Sequence, residues 1–240
     1  MAIFRLRPTA GTTDNVNGGV PSRASWYSDA YTIPLGGGNN SSFADEGSYF
    51  VATNPTLATS ITGHAAPVVA DTDTKPFLLL FNGGQRNILL DYAFFEVTAA
   101  GTGGTIHYAV VYVDNKGSTA FSSGGSTVTP VNTRSDNPFG SGASIYCGAV
   151  VAAMSSSRKV GQQIVREVIP VVQDTITLRF GSSTAQPHSG LTTAGTATNH
   201  TALQFPPVCI APGGNCGISF IRPSQTVAAT YQFELGFVER

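Results

Sequence analysis

Lys75–Val113, KPFLLLFNGGQRNILLDYAFFEVTAAGTGGTIHYAVVYV, decides the fold class, because three apolar runs follow one another with only glycine-rich breaks between them. Phe77 to Phe81 is wholly apolar and too short for a stable helix, and Asn82-Gly83-Gly84 behind it supplies the positive-φ residues of a tight turn. Ile88 to Val97, interrupted by Asp91 and Glu96, reads as a second strand, and Thr98 to Gly104 breaks the chain again. In the third run Ile106, Tyr108, Val110 and Tyr112 fall on one face. The expectation is a three-stranded meander with one apolar side that a second layer must cover.

Downstream, Asp114 to Gly142 is rich in Gly, Ser and Asn and reads as a long connection. Ile145 to Met154 and Gln163 to Ile169 follow as strands; over Arg158 to Val168 a helix competes, but Gly161, the β-branched residues and Pro170 weigh against it. Thr175 to Phe180 alternates and points Ile176, Leu178 and Phe180 inward, whereas Gly181 to Gln204 reads as a surface loop. Pro207 to Ala211 and Cys216 to Ile221 flank Pro212-Gly213-Gly214-Asn215 as a hairpin signal. In Ala229 to Val238, Tyr231, Phe233, Leu235 and Phe237 alternate with Thr230, Gln232, Glu234 and Gly236, the pattern of one buried and one wet face. About nine strands with long crossing loops fit an all-β, two-sheet antiparallel sandwich with jelly-roll topology better than an up-and-down barrel.

Upstream, residues 1–74 are polar and rich in Gly, Pro and Thr, punctuated by irregularly spaced aromatics. The expected organisation is an extended N-terminal arm over 1–74 and a sandwich domain over 75–240. Two readings of the arm stay open: it wraps its own sandwich, or it docks on a neighbouring subunit or other partner through Phe4, Trp26, Tyr27 and Tyr31, with Arg5 and Arg7 adding charge-assisted bonds.

Charged residues are only 11% of the 240, and the formal net charge is −1 with no Lys/Arg cluster, so neither nucleic acid nor an anionic membrane is an expected partner. The start, MAIFRLRPTAG, holds too short an apolar segment for a signal peptide, so synthesis in the cytosol is expected. Cys147, Cys209 and Cys216 show no metal spacing; Cys209 and Cys216 flank the expected hairpin, but a cytosolic chain favours free thiols.

No nucleophile elbow, zinc helix or phosphate loop is present, and Asp71-Thr-Asp73-Thr-Lys75 lacks the glycine and closing glutamate of a calcium loop. Of the four histidines, His107 alone falls on an expected strand, out of phase with Ile106 and Tyr108, where a satisfied or solvent-facing imidazole is expected. Asp91 and Glu96, five apart on one strand, are expected on opposite faces, which disfavours paired-carboxylate chemistry. The reading is of a protein without catalytic residues, metal or cofactor.

Four segments, LDYAFFEVTAAGTGGTIHYAVVYVDN (90–115), SSGGSTVTPVNT (122–133), REVIPVVQDTITLRFG (166–181) and PPVCIAPGGNCGISFIRPSQTVAATYQFELGFVER (206–240), resemble the capsid decoration, or cement, proteins of tailed bacteriophages. The resemblance implies a non-enzymatic jelly-roll subunit assembled as a symmetric oligomer on a phage head; the expected partner there is the major capsid protein, met after synthesis in the bacterial cytoplasm. The expected oligomer is a homotrimer, ahead of a dimer. The competing class is a receptor- or carbohydrate-binding module of a phage tail or fibre, with 114–142 and 181–204 as contact loops.

Overall fold

The computed structural model describes residues 39–56, 59–64, 72–104, 106–136, 139–167, 169–181 and 198–240. Phe43 to Arg240 form one unit, and the fold is that of this unit. A short helix, α1 (Asn39–Glu46), ends on Gly47, whose φ of 72° lets Gly47 N–H reach Ala44 O and Ser48 N–H reach Phe43 O. The strands that follow are β1 (Tyr49–Thr53), β2 (Ile61–Thr62), β3 (Leu78–Asn82), β4 (Ile88–Ala99), β5 (Thr102–Gly103) and β6 (His107–Asp114). Next come β7 (Phe121–Ser123), β8 (Ser126–Val128), β9 (Val131–Asn132), β10 (Ala143–Cys147), β11 (Val151–Ala152) and β12 (Arg158–Arg166). The last are β13 (Thr175–Phe180), β14 (His200–Phe205), β15 (Cys209–Ile210), β16 (Asn215–Ile221), β17 (Gln225–Val227) and β18 (Thr230–Glu239).

They form the two sheets of a sandwich, antiparallel throughout except where β14 runs parallel to β13. The first runs β14-β13-β4-β18-β1-β9, with β15 also on β4 and β2 also on β18; the second runs β12-β6-β16-β3-β10-β8. Two-stranded ribbons, β7 with β11 and β5 with β17, sit outside them. The all-β sandwich expectation is thus met, but the meander over Lys75–Val113 is not: β3 and β6 lie in the second sheet and β4 in the first, so consecutive strands cross the core instead of pairing. Likewise Pro212–Asn215 is no hairpin turn, since Cys209 faces Leu89 in the first sheet and Cys216 faces Leu80 in the second. Three stretches read as irregular hold strands: β1 and β2 within 1–74, β7 to β9 within 114–142, and all of β14 but its last residue within 181–204. Their Ser, Thr and Gly content hid strands that are short or lie at an edge.

The core fills from the alternation that the last strand displays. Tyr231, Phe233, Leu235 and Phe237 of β18 and Ile176, Leu178 and Phe180 of β13 all point inward, as expected, and β12 is a strand and not a helix. Phe77, Phe95, Phe220 and Tyr231 pack together, Phe95 edge-on to Phe220 with centroids 4.8 Å apart and Phe220 stacked on Tyr231 at 4.9 Å. The β6 reading needs correction. Its core face is Ala109, Val111 and Val113, while Val110 and Tyr112 face outward under Met154 and Ile221. The β6–β12 connection covers the outer face of the second sheet, with Val150 and Ala152 packed on Leu79. A strand buried on both faces carries no alternation that marks its inner side.

A β-bulge explains a second correction. Gly236 pairs with Tyr92 and Phe237 with Leu90, which leaves Asp91 as the extra residue of β4. Leu90 and Ala93 both remain in the core, so Asp91 and Tyr92 turn outward together and Asp91 shares the outer face with Glu96.

At both lateral edges the two sheets are tied to each other. On one side the chain passes from β8 in the second sheet to β9 in the first through Thr129-Pro130 alone. On the other, β12 meets β14: the Gln163 amide donates to Gln204 O, Thr201 Oγ1 donates to Val165 O at 3.3 Å, and a Cβ on Gly161 would overlap the buried Phe205 ring. Gly161→Ala is expected to cost about 1–3 kcal/mol by overpacking, and Phe205→Leu in the same chain to recover part of it. Denaturant unfolding of the three proteins reads this out, and a Gly161→Ala chain as stable as its parent would mean that the sheets do not meet here.

Candidate functional site

At one end of the sandwich, where β4, β12 and β16 finish, the loops are held by charged side chains inside the protein. Arg166 Nη1 contacts both carboxylate oxygens of Asp174, at 2.6 and 2.7 Å, with both residues buried. Asp174 also accepts the backbone N–H of Val171 and of Asn199, each at 2.7 Å, so one carboxylate ties β12, its following loop and the approach to β14. Arg222 donates to the carbonyls of Ala100, Thr102 and Val227 at 3.1, 3.4 and 3.2 Å, which clamps the β5–β17 ribbon. Gly104 (φ 85°) lies where a Cβ would overlap the Arg222 chain, which accounts for glycine at that position of the Thr98–Gly104 break.

His107 lies beside them, 2% exposed, and not at the surface; its ring is 5.3 Å from Phe220, and Nε2 is 3.4 Å from the Tyr231 hydroxyl. Burial, reinforced by Arg222 and Arg166, drives its pKa down to about 3, so the imidazole is neutral. A lone arginine inside an apolar run, as in GQQIVREVIP or ISFIRPSQ, was the sequence signal for this cluster, and it went unused.

On the outer face of the first sheet, two tyrosine–carboxylate pairs straddle Gly236. Tyr49 donates its hydroxyl to Asp91 at 2.7 Å, and Tyr92 donates to Glu234. Burial first, then the hydrogen-bonded carboxylate, raises both tyrosine pKa values, so the hydroxyls stay protonated and act as donors. A Cβ at Gly236 would strike both rings, so the glycine is what lets the pairs lie flat on the sheet.

At the opposite end an open groove of about 470 Å³ is lined by Glu46, Arg86, Arg134, Asp136, Phe139 and Glu239, among others. Arg134 and Asp136 form an exposed ion pair at 2.6 Å, and Glu239 accepts from the Ser141 hydroxyl and the Gly142 N–H. Amide and carboxylate side chains pin the loops here. Asn82 donates to Arg86 O and Ile210 O at 2.7 and 2.8 Å, Asn215 donates to Ser118 O at 3.0 Å, and Asp114 accepts from Ser155 and Ser156 N–H.

Phe4, Arg5, Arg7, Trp26, Tyr27 and Tyr31, expected to bind a partner, all lie outside the described residues. His64 is 3.4 Å from Pro76 O and His200 2.8 Å from Thr175 Oγ1, and the described residues hold no group of three or more His, Cys, Asp or Glu placed to take a metal ion. Among them no helix is long and apolar enough to cross a membrane. No family model, curated protein or solved structure matches the chain.

Because folded His107 titrates near 3 and an unfolded histidine near 6.5, only the unfolded chain takes up this proton between those values. The resulting stability is complete above pH 6.5 and is lost as pH falls towards 3. His107→Gln is expected to remove that part of the acid sensitivity, making the loss between pH 7 and 4 smaller by about 3 kcal/mol; denaturant melts at the two pH values test it, and parallel curves for both proteins would refute it. The three cysteines are free, with Cys147 and Cys216 buried, their thiols pushed up to about 12 by burial, and Cys209 exposed. Alkylation without reductant is expected to add one label to the native chain and three to the denatured one. Two thiols still protected after denaturation would reveal a disulfide.

Proposed function

We propose that this chain is a non-enzymatic structural protein of a tailed-bacteriophage virion, a jelly-roll subunit that decorates and stabilises the capsid by binding the major capsid protein. The observation that carries the reading is the order of eight strands. In the first sheet β1-β18-β4-β13 are neighbours, in the second β3-β16-β6-β12, and every adjacent pair is antiparallel. Following the chain, these strands alternate between sheets at each step except β6 to β12, the path that two nested Greek keys produce. Viral capsid subunits and lectins use this architecture, and fold alone does not choose between them. The choice of a phage head comes from the resemblance of 90–115, 122–133, 166–181 and 206–240, which lie on β4 to β6, β8 and β9, β12 and β13, and β15 to β18.

The subunit acts as a homotrimer, with the arm making the contact to the capsid. Deleting residues 1–38 leaves every described strand intact. The shortened chain is expected to melt within a few degrees of the full chain but to bind heads stripped of the protein at least about tenfold more weakly, as loss of aromatic anchors does. Equal binding by both chains sinks the docking arm, and binding to cell surfaces or glycans in place of heads moves the protein to receptor recognition.

A further inference from the structure

Arg166, His107 and Arg222 lie in one row across three neighbouring strands of the second sheet. Arg166, the last residue of β12, pairs with His107, the first of β6, and Arg222 follows Ile221 of β16, which pairs with the adjacent Tyr108. Each arginine of the row holds loops. Arg222 takes the carbonyls of Ala100, Thr102 and Val227, and Arg166 holds the Asp174 carboxylate that accepts from Val171 and Asn199.

The groups that face His107 give a second proton no acceptor. Nε2 is 3.4 Å from the Tyr231 hydroxyl on β18, Phe220 of β16 lies against the ring, and Nδ1 has no hydrogen-bond partner. The charges beside it are the cations Arg166 and Arg222, and the carboxylate of Asp174, ahead of β13, is engaged by Arg166 and two amides. On the far side of Phe220 and Tyr231, His64 and Lys75 line a cavity of about 30 Å³ whose walls hold no carboxylate. All members of the row stand at strand ends, so water reaches the imidazole once 100–104, 169–173 and 222–229 lift, with the ladders of β6, β12 and β16 still paired.

We propose that the Arg166–His107–Arg222 row is an acid-opened latch: protonation of His107 sets three cations side by side, and this end of the sandwich opens while the two sheets stay formed. The inference is independent of the proposed function. Lifting the loops relieves the repulsion by carrying Arg222 and the Asp174 contacts away from the ring, and it leaves the aromatic core buried, which makes it a smaller opening than unfolding. The opened form binds the proton and the closed form excludes it, so the opened population rises as pH falls from 6.5 towards 3.

Native-state hydrogen exchange of the full chain at pH 7 and pH 5, corrected for the intrinsic pH dependence of amide exchange and read by NMR, tests the latch. The reporters are the amides of Val171, Gln173 and Asn199, all bonded at this end. They are expected to exchange faster than the ladder amides of β3 and β16, to respond little to low denaturant, and to lose protection about 25-fold between pH 7 and pH 5, the ratio that proton uptake at 6.5 in the open form and about 3 in the closed form imposes. His107→Gln should abolish the pH effect and His64→Gln should leave it in place. Reporters that exchange no faster than the β3 and β16 amides would mean that the chain opens as a whole, and protection unchanged between the two pH values would remove the latch. Both of these results are read on the parent chain alone and overturn the proposal even where the His107→Gln chain does not fold. A 25-fold effect that persists in a folded His107→Gln chain overturns it as well.

Discussion

A chain that crosses repeatedly between two sheets must turn at the ends of the sandwich, where backbone N–H and C=O groups leave their ladders, and the rest of the fold depends on how those groups are satisfied. The two ends meet this constraint with different chemistry. At the groove end Asn82, Asn215 and Asp114 reach loop backbone directly. At the other end Arg222 spreads one guanidinium over three carbonyls, and Asp174 collects two amides besides the Arg166 ion pair. The first solution combines the amides of Asn82 and Asn215 with the carboxylates of Asp114 and Glu239. The second places two cations around a histidine that burial keeps neutral.

Interior arginine fixes uncharged loops in shape without placing a charge on them, and so the aliphatic tips of Ile169, Val172 and Val227 are displayed on rigid backbone. On the outer face of the first sheet, by contrast, Tyr49, Tyr92, Asp91 and Glu234 satisfy one another.

How much of this could be read from residues follows from what each strand touches. β13 and β18 were legible because one face is wet and the other dry, which leaves a period of two in the sequence. β6 misled because the β6–β12 connection buries its second face, and Asp91 misled because a bulge changes parity without leaving a sequence mark. β14 and β7 to β9 are composed of residues that also serve as loops, and their pairing comes from long-range neighbours. Strand order was out of reach for the same reason: the Lys75–Val113 runs announce strands but not which sheet receives each. The buried arginines could have been noticed, since a lone guanidinium within an apolar run has to find acceptors.

The position of β18 has a consequence for how the protein is made. Its residues, 230–239, are the last described before Arg240, yet the strand lies in the middle of the first sheet, between β4 and β1. While the ribosome still holds that segment, β1 and β4 have no shared neighbour, and the aromatic cluster lacks Tyr231. Nascent chains therefore wait with apolar strands uncovered, and closure of the sandwich becomes a single event after residue 239 emerges. The interval is the one in which the chain most needs protection by chaperones.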